Sequence, residues 1–357
     1  MLKKEFDIRF FLSCGLTIIG FLVSITVFSI FYKAYFYQPY PEGRTISGEV
    51  QQVNFIAVGD IMLSRNVARH AEKGGGPHWI WQNISDFLGK SDFNFWNLES
   101  PTNGTNVYSY QKVMVFNAIP SLINTLGEMK FRVLNLANNH ALDQGEIGLT
   151  TTQKFLADRK IGYAGTGQTL EQAWTPEIVE KNGIRIAFIG ASYAAYNDDG
   201  TRINNRIARM QDQKSLAEAL SKAKNQADYV VVSMHGGEEY TRKPTPLQEE
   251  FAKKAIDLGA DIVIGAHPHW TQWIELYKGK YIFYSLGNFV FDQEFSPETK
   301  TGLAAQIFLE KSREATRLNR IELHPILIEN YGQPRLMSGE AKKKALADIN
   351  QSTDILR

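Results

Sequence analysis

The chain has 357 residues, 43% hydrophobic and 22% charged, with 28 Gly and 12 Pro. That balance belongs to a folded globular protein and excludes disordered, collagenous and low-complexity chains. Lys and Arg number 39 against 38 Asp and Glu, so nothing in the charge points to nucleic acid as a partner. The lone cysteine, Cys14, excludes an internal disulfide and a thiolate-rich zinc site, which leaves His, Asp, Glu and Asn to carry the polar chemistry.

Residues 10–32 carry no charge. As a helix rising ~1.5 Å per residue they span roughly 35 Å, enough to cross a hydrocarbon layer of ~30 Å. Lys3, Lys4 and Arg9 precede the run and basic residues are sparse after it, which predicts an inside N-terminus and an outside domain. No small-x-small cleavage site follows, and Cys14 lies near the start of the run, where a lipoprotein cysteine would follow it. The expected organisation is a short cytoplasmic tail over 1–9, a single-pass anchor over 10–32 and a linker over 33–52 containing Pro39, Pro41, Gly43 and Gly48. One domain follows over 53–330, then a C-terminal tail over 331–357.

Beyond residue 52, short apolar runs rich in β-branched residues alternate with helical patterns. The runs 53–58, 93–97, 132–136, 184–189, 228–233 and 261–264 read as strands, and 247–258 as a helix closed by Gly259. Strand, crossover helix and strand in succession predict an α/β domain built around sheets. Ligands in such folds gather at the carboxyl ends of strands. Five of these runs lead into Asp60, Glu99, Asn139 with His140, His235, and His267 with His269. His70, His78 and His324 fall outside this set and read as surface or packing residues.

Two carboxylates, an amide oxygen and imidazoles form an N/O ligand set suited to divalent Mn, Fe or Zn. In an extended segment residues two apart share a side, so His267 and His269 can each reach one of two adjacent ions, with Pro268 holding His267 near the extended region. Glu99 reads as the shared carboxylate. Such an ion pair, ~3.5–4 Å apart, activates water and stabilises phosphoryl-like oxygens. His140 would face the substrate as general acid or electrostatic stabiliser, oriented by Asp143. Taken alone, either the His-Pro-His or the Asn-Asn-His motif is more often structural than functional, the latter as a helix N-cap with a satisfied histidine.

The sequence resembles the CapA family of bacterial capsule and poly-γ-glutamate synthesis proteins, within the calcineurin-like metallophosphatase superfamily. The matching segments are VGDIMLSR at 58–65, NLESP at 97–101, LNLANNHALDQG at 134–145, GTG at 165–167, SMHGGEEY at 233–240, GADIVIGAHPHW at 259–270 and YSLGNFVFDQ at 284–293. The resemblance implies a four-layer αββα sandwich with two divalent ions. It matches Asp60 and His269 to the first ion, Asn139, His235 and His267 to the second, Glu99 to the bridge and His140 to the leaving group. The chain departs from the superfamily at Met62, where a histidine is usual, and at Glu99, where the bridge is usually Asp. Arg65 lies within a matching motif; it can bind an anionic substrate bidentately or form a surface salt bridge. Three functions are open: a membrane-anchored metal-dependent hydrolase, an accessory subunit of a capsule or polyglutamate synthesis and export complex, and a non-catalytic module binding an anionic envelope polymer.

Overall fold

The apolar runs form strands that sort into two sheets. In chain order these are β1 (Gln51–Ile61), β2 (Phe93–Leu98), β3 (Phe131–Asn135), β4 (Gly162–Ala164), β5 (Glu177–Lys181), β6 (Ile184–Ser192) and β7 (Tyr229–His235). There follow β8 (Ile262–Ala266), β9 (Ile274–Tyr277), β10 (Lys280–Phe283), β11 (Asn288–Val290), β12 (Thr301–Lys311), β13 (Thr316–Glu329) and β14 (Gln333–Leu336). The computed structural model describes residues 50–105, 115–194, 197, 203–313 and 315–349. The expected tail 1–9, the anchor 10–32 and most of the linker 33–52 lie outside the described residues. Among the described residues no helix is long and apolar enough to cross a membrane.

One sheet runs β14-β13-β12-β1-β2-β3-β4, with β11 also paired to β1; the other runs β5-β6-β7-β8-β10-β9. Both are mixed. β1 to β4 are parallel and β12 to β14 antiparallel in the first, while β6, β7 and β8 are parallel in the second. Parallel strands covered on both faces need continuous apolar runs. β2 and β7 are accordingly buried along their whole lengths.

The longer helices are α1 (Arg65–Lys73), α2 (Gly145–Ala157), α3 (Gln213–Gln226), α4 (Pro246–Asp257) and α5 (Gly339–Ile349). α4 begins with a capping box between Thr245 and Gln248 and has Pro at its first position, where no N–H is needed. The period-2 alternation along β1 divides its side chains between two cores. Phe55 joins Phe95 and Val133 against Phe188, Val231 and Ile262 of the other sheet. The Phe95 and Phe188 rings stack at 4.9 Å between centroids. Ile56, with Trp96 and Leu134, instead packs against Val67 of α1, Ile80, Leu122 and Leu156 of α2. On the far face of the second sheet, Ala187, Val232 and Val263 meet Leu216 and Leu220 of α3 and Phe251 of α4. The layers are therefore helix, sheet, sheet, helix.

Two boundaries differ from the sequence reading. β1 continues through Asp60 to Ile61, because β2 and β11 flank its end and pair Asp60 with Asn97 and Asn288. Residues 331–349 do not form a tail: β14 pairs with β13, and Ile349 and Leu346 of α5 enter the core between the sheets. Three consecutive lysines in α5 mask its apolar stripe. β1 also presses closely on the turn before β11. A Cβ on Gly59 would lie 1.8 Å from the Gly287 carbonyl, so only glycine fits immediately before Asp60.

Candidate metal centre

β1, β2, β3, β7 and β8 end at the same edge of the two sheets, which brings their polar residues together. Asp60, Glu99 and His235 are completely buried, and Asn139, His140, His267 and His269 are at most 3% exposed. Two overlapping groups have ligand atoms within 4.8 Å of one another: Glu99 with His235 and His267, and Asp60 with Glu99 and His269. Glu99 belongs to both. Asn139 Oδ1 lies 2.8 Å from His235 Nε2, which adds the amide to the first of these groups.

Asp60 is held by neighbours whose roles the strand-end pattern did not reveal. Asn97 Nδ2 donates to Asp60 Oδ1 at 2.8 Å, and the His267 backbone N–H donates to Oδ2 at 3.0 Å. Asn97 Oδ1 in turn accepts from Asn135 and Asn138 at 3.0 and 3.3 Å. Asn288 Oδ1 lies 2.9 Å from His269 Nδ1, so the Ser285–Asn288 turn fixes that imidazole. The visible signal was an unusual number of asparagines at or after strand ends, which a sequence cannot distinguish from turn formers.

The backbone after β8 corrects one expectation. His267 and His269 are not in an extended segment; both lie in the left-handed region, at φ 101 and 58. The chain turns immediately, so that His267 N–H reaches Asp60 and the Pro268 carbonyl accepts from Tyr240 N–H at 2.9 Å. Such conformations cost of order 1–3 kcal/mol per bulky residue and persist where the surroundings hold them. The two imidazoles serve different groups because of this turn and not because of strand alternation.

Burial favours the neutral form of Asp60, Glu99, His235, His267 and His269. It pushes Asp60 up to about 7, against the opposing hydrogen bonds from His267 and Asn97. Burial raises Glu99 well above the usual carboxylate range, and the charges of Asp60 and Glu239 add to it. Burial holds His235 and His267 far below the ordinary imidazole value and His269 down at about 3. The Nδ1 atoms of His235 and His267 are buried without a hydrogen-bond partner, and the Glu99 oxygens have none beyond the Asp60 carboxyl. Within the two groups, the approaches of His269 to Asp60 at 3.6 Å and of His235 to Glu99 at 3.8 Å are too long for hydrogen bonds. Two atoms each ~2.1 Å from one ion stand roughly 3–4 Å apart. Orphaned hard oxygens and neutral imidazoles at this spacing fit divalent cations.

His140 stands at the rim of this set. Its Nδ1 lies 2.7 Å from Asp143 Oδ2 and its Nε2 lies 3.9 Å from Glu99 Oε1, so the acid orients the ring and Nε2 faces the centre. The ring stacks on Phe116, 3.9 Å between centroids. Arg65 pairs with Asp292 and lies over Phe116 and Phe291 at 4.8 and 5.8 Å, so its guanidinium is already braced by a carboxylate. Met62 is fully buried in the helix-side core, and its Sδ accepts from Ser64 N–H at 3.1 Å, turned to the backbone.

Residues 54–293 match the family described as bacterial capsule synthesis protein PGA_cap. The capsule biosynthesis protein CapA of Bacillus anthracis is 32% identical over 315 residues, covering 85% of this chain and 74% of its own length. The PGA biosynthesis protein CapA of Bacillus subtilis is 33% identical over 308 residues, covering 86% of this chain and 79% of its own. Among solved structures, the calcineurin-like phosphoesterase YfkN of Bacillus subtilis is 15% identical, with a TM-score of 0.47 over 85% of this chain and 98% of that one. With seven motif segments in order, the strand-end cluster assembled and this breadth of identity, the chain belongs to the bacterial capsule synthesis protein family PGA_cap.

Proposed function

We propose that this chain takes part in making or exporting a capsular or polyglutamate polymer of the bacterial envelope, as a domain with a two-ion hydrolytic centre. The observation that carries the reading is the convergence of Asp60, Glu99, His235, His267 and His269 into two groups sharing Glu99. The names of the relatives support the process, and the synthesis and export subunits are the proposed partners, with an anionic envelope polymer as ligand. Asp60, Glu99 and His269 would hold one divalent ion, and Glu99, Asn139, His235 and His267 the other. When bound, Mn, Fe or Zn ions there would polarise a phosphoryl-like oxygen and lower the pKa of water.

The chain's own residues do the rest. His140 carries a proton on Nε2 toward the departing oxygen while Asp143 keeps the ring in place through Nδ1. Phe116 excludes water from one face of that ring. Arg65, steadied by Asp292, offers its guanidinium to an anionic group. The membrane anchor over 10–32 and the extracytoplasmic placement of the domain belong to the same proposal, and protease treatment of intact cells tests them by removing the domain.

The test of function compares His140→Ala with His267→Ala in a polymer-production assay at matched protein levels. Loss of production in both, with metal retained only by His140→Ala, supports a catalytic centre. Met62 favours a second reading, an accessory subunit whose metal is structural, because it leaves one position without the superfamily's histidine. Full production by His140→Ala selects that reading.

A further inference from the structure

The cluster described above leaves one group short. Asp60, Glu99 and His269 supply three residues, and Met62, at the position of the superfamily's histidine, is turned away into the core. Its thioether is bonded to Ser64 N–H and is a poor ligand for a hard ion.

Another side chain reaches the same place from the loop after β7. Glu239 Oε1 lies 4.0 Å from His269 Nε2. His269 Nδ1 lies 2.9 Å from Asn288 Oδ1 and 3.6 Å from Asp60 Oδ2, while its Nε2 lies on the side of Glu239. Two ligand atoms ~2.1 Å from one ion are roughly 3–4.2 Å apart. Glu239 meets that spacing to His269 but stands outside the groups whose ligand atoms lie within 4.8 Å of one another, so its side chain must swing toward Asp60 and Glu99 to share an ion with them. Among the described residues the ion-pair contact of Glu239 is with His269 and with no lysine or arginine. Its charge is nonetheless felt by both Asp60 and Glu99.

The loop is held where it can do this. Tyr240 N–H donates to Pro268 O at 2.9 Å, clipping the 236–240 loop to the His267–His269 turn. Tyr240 Oη accepts from Gln293 Nε2 at 3.1 Å, and Gln293 Oε1 accepts from Asn288 Nδ2 at 3.0 Å. Asn288 then meets His269, closing a ring of contacts beside Glu239. Glu99, grouped with Asp60 and His269, adds two buried oxygens with no hydrogen-bond partner beyond the Asp60 carboxyl.

We propose that Glu239 completes the first-ion set, standing in for the histidine that Met62 replaces. The inference rests on the two-ion reading above. It makes the first site three carboxylates and one imidazole, a harder set than the second, with its two imidazoles, amide and shared carboxylate. Hard oxygen ligands favour manganese over zinc at that position. Because the Glu239 side chain is 31% exposed, the first ion exchanges with solvent past this residue.

The experiment titrates chelator-stripped full-length protein with manganese alone and reads stoichiometry and affinity, using wild type, Glu239→Gln and Glu238→Gln. Glu238 is exposed on the neighbouring position and serves as the control. The expected result is that Glu239→Gln weakens one manganese at least ~10-fold while Glu238→Gln matches wild type. Manganese bound by wild type and unchanged at every site in Glu239→Gln overturns the role of Glu239 and leaves the two-ion reading standing. No manganese bound by wild type overturns the two-ion reading, and this inference with it. Thermal melting checks that each variant is folded, which a surface-facing Glu to Gln change preserves.

Discussion

Glu99→Met separates a residue kept for metal from one kept for stability. In the folded protein Glu99 is completely buried, and its oxygens have no hydrogen-bond partner beyond the Asp60 carboxyl. Leaving one buried polar group unsatisfied costs ~1–3 kcal/mol, and more where the group is charged. Methionine has the same unbranched reach and no polar demand, so it removes that cost at nearly constant volume. The metal-free variant should therefore be more stable than wild type by about 2–4 kcal/mol, after some loss to imperfect packing. At ~2 °C per kcal/mol for a domain of this size, melting rises by roughly 4–8 °C in chelator. Divalent metal reverses the order. Each ion at a hundredfold excess over its Kd stabilises wild type by ~2.7 kcal/mol, whereas the variant has lost the residue common to both groups. Melting curves of both proteins, with chelator and with manganese, should cross. A variant that melts below wild type in chelator, or gains as much from manganese, would refute the reasoning.

Two further outcomes follow from the same electrostatics and packing. Asp60 and Glu99 are held protonated by burial, Asp60 up to about 7, whereas His235, His267 and His269 are already neutral. Metal uptake at pH 6 must therefore release protons from carboxyls, and affinity must rise with pH through about 7; calorimetry in buffers of different ionisation enthalpy measures both, and uptake without proton release contradicts it. Asn97→Leu removes the donor to Asp60 and the acceptor for Asn135 and Asn138, so metal affinity should fall ~10–100-fold although Asn97 itself binds no ion. Equal manganese affinity in that variant and wild type would show that Asp60 needs no such support.

What the sequence determined by itself is local. Period-2 and continuous apolar runs define strands wherever burial is on one or both faces, so β1, β2, β3, β6, β7 and β8 and the helix α4 were legible to within a few residues. Strand ends carry polar residues because backbone leaves the core there, and that rule, with the ordered motifs, named Asp60, Glu99, Asn139, His235, His267 and His269 as one set. The tertiary structure decided which of them meet. Asp60 and His267 are 207 residues apart in the chain, and the hydrogen bond between them depends on β1 and β8 ending at one edge of facing sheets. Left-handed turns at His267 and His269 depend on Asp60 and Tyr240 as partners, so no local rule foretells them. The same holds for Met62 and Glu239. Met62 lies just past the end of β1, where Ile61, Met62 and Leu63 all enter the helix-side core, while Glu239 approaches His269 from a loop that Tyr240 ties to Pro268 and Gln293. Periodicity is a property of one segment, whereas a ligand set is a property of the space where five segments end.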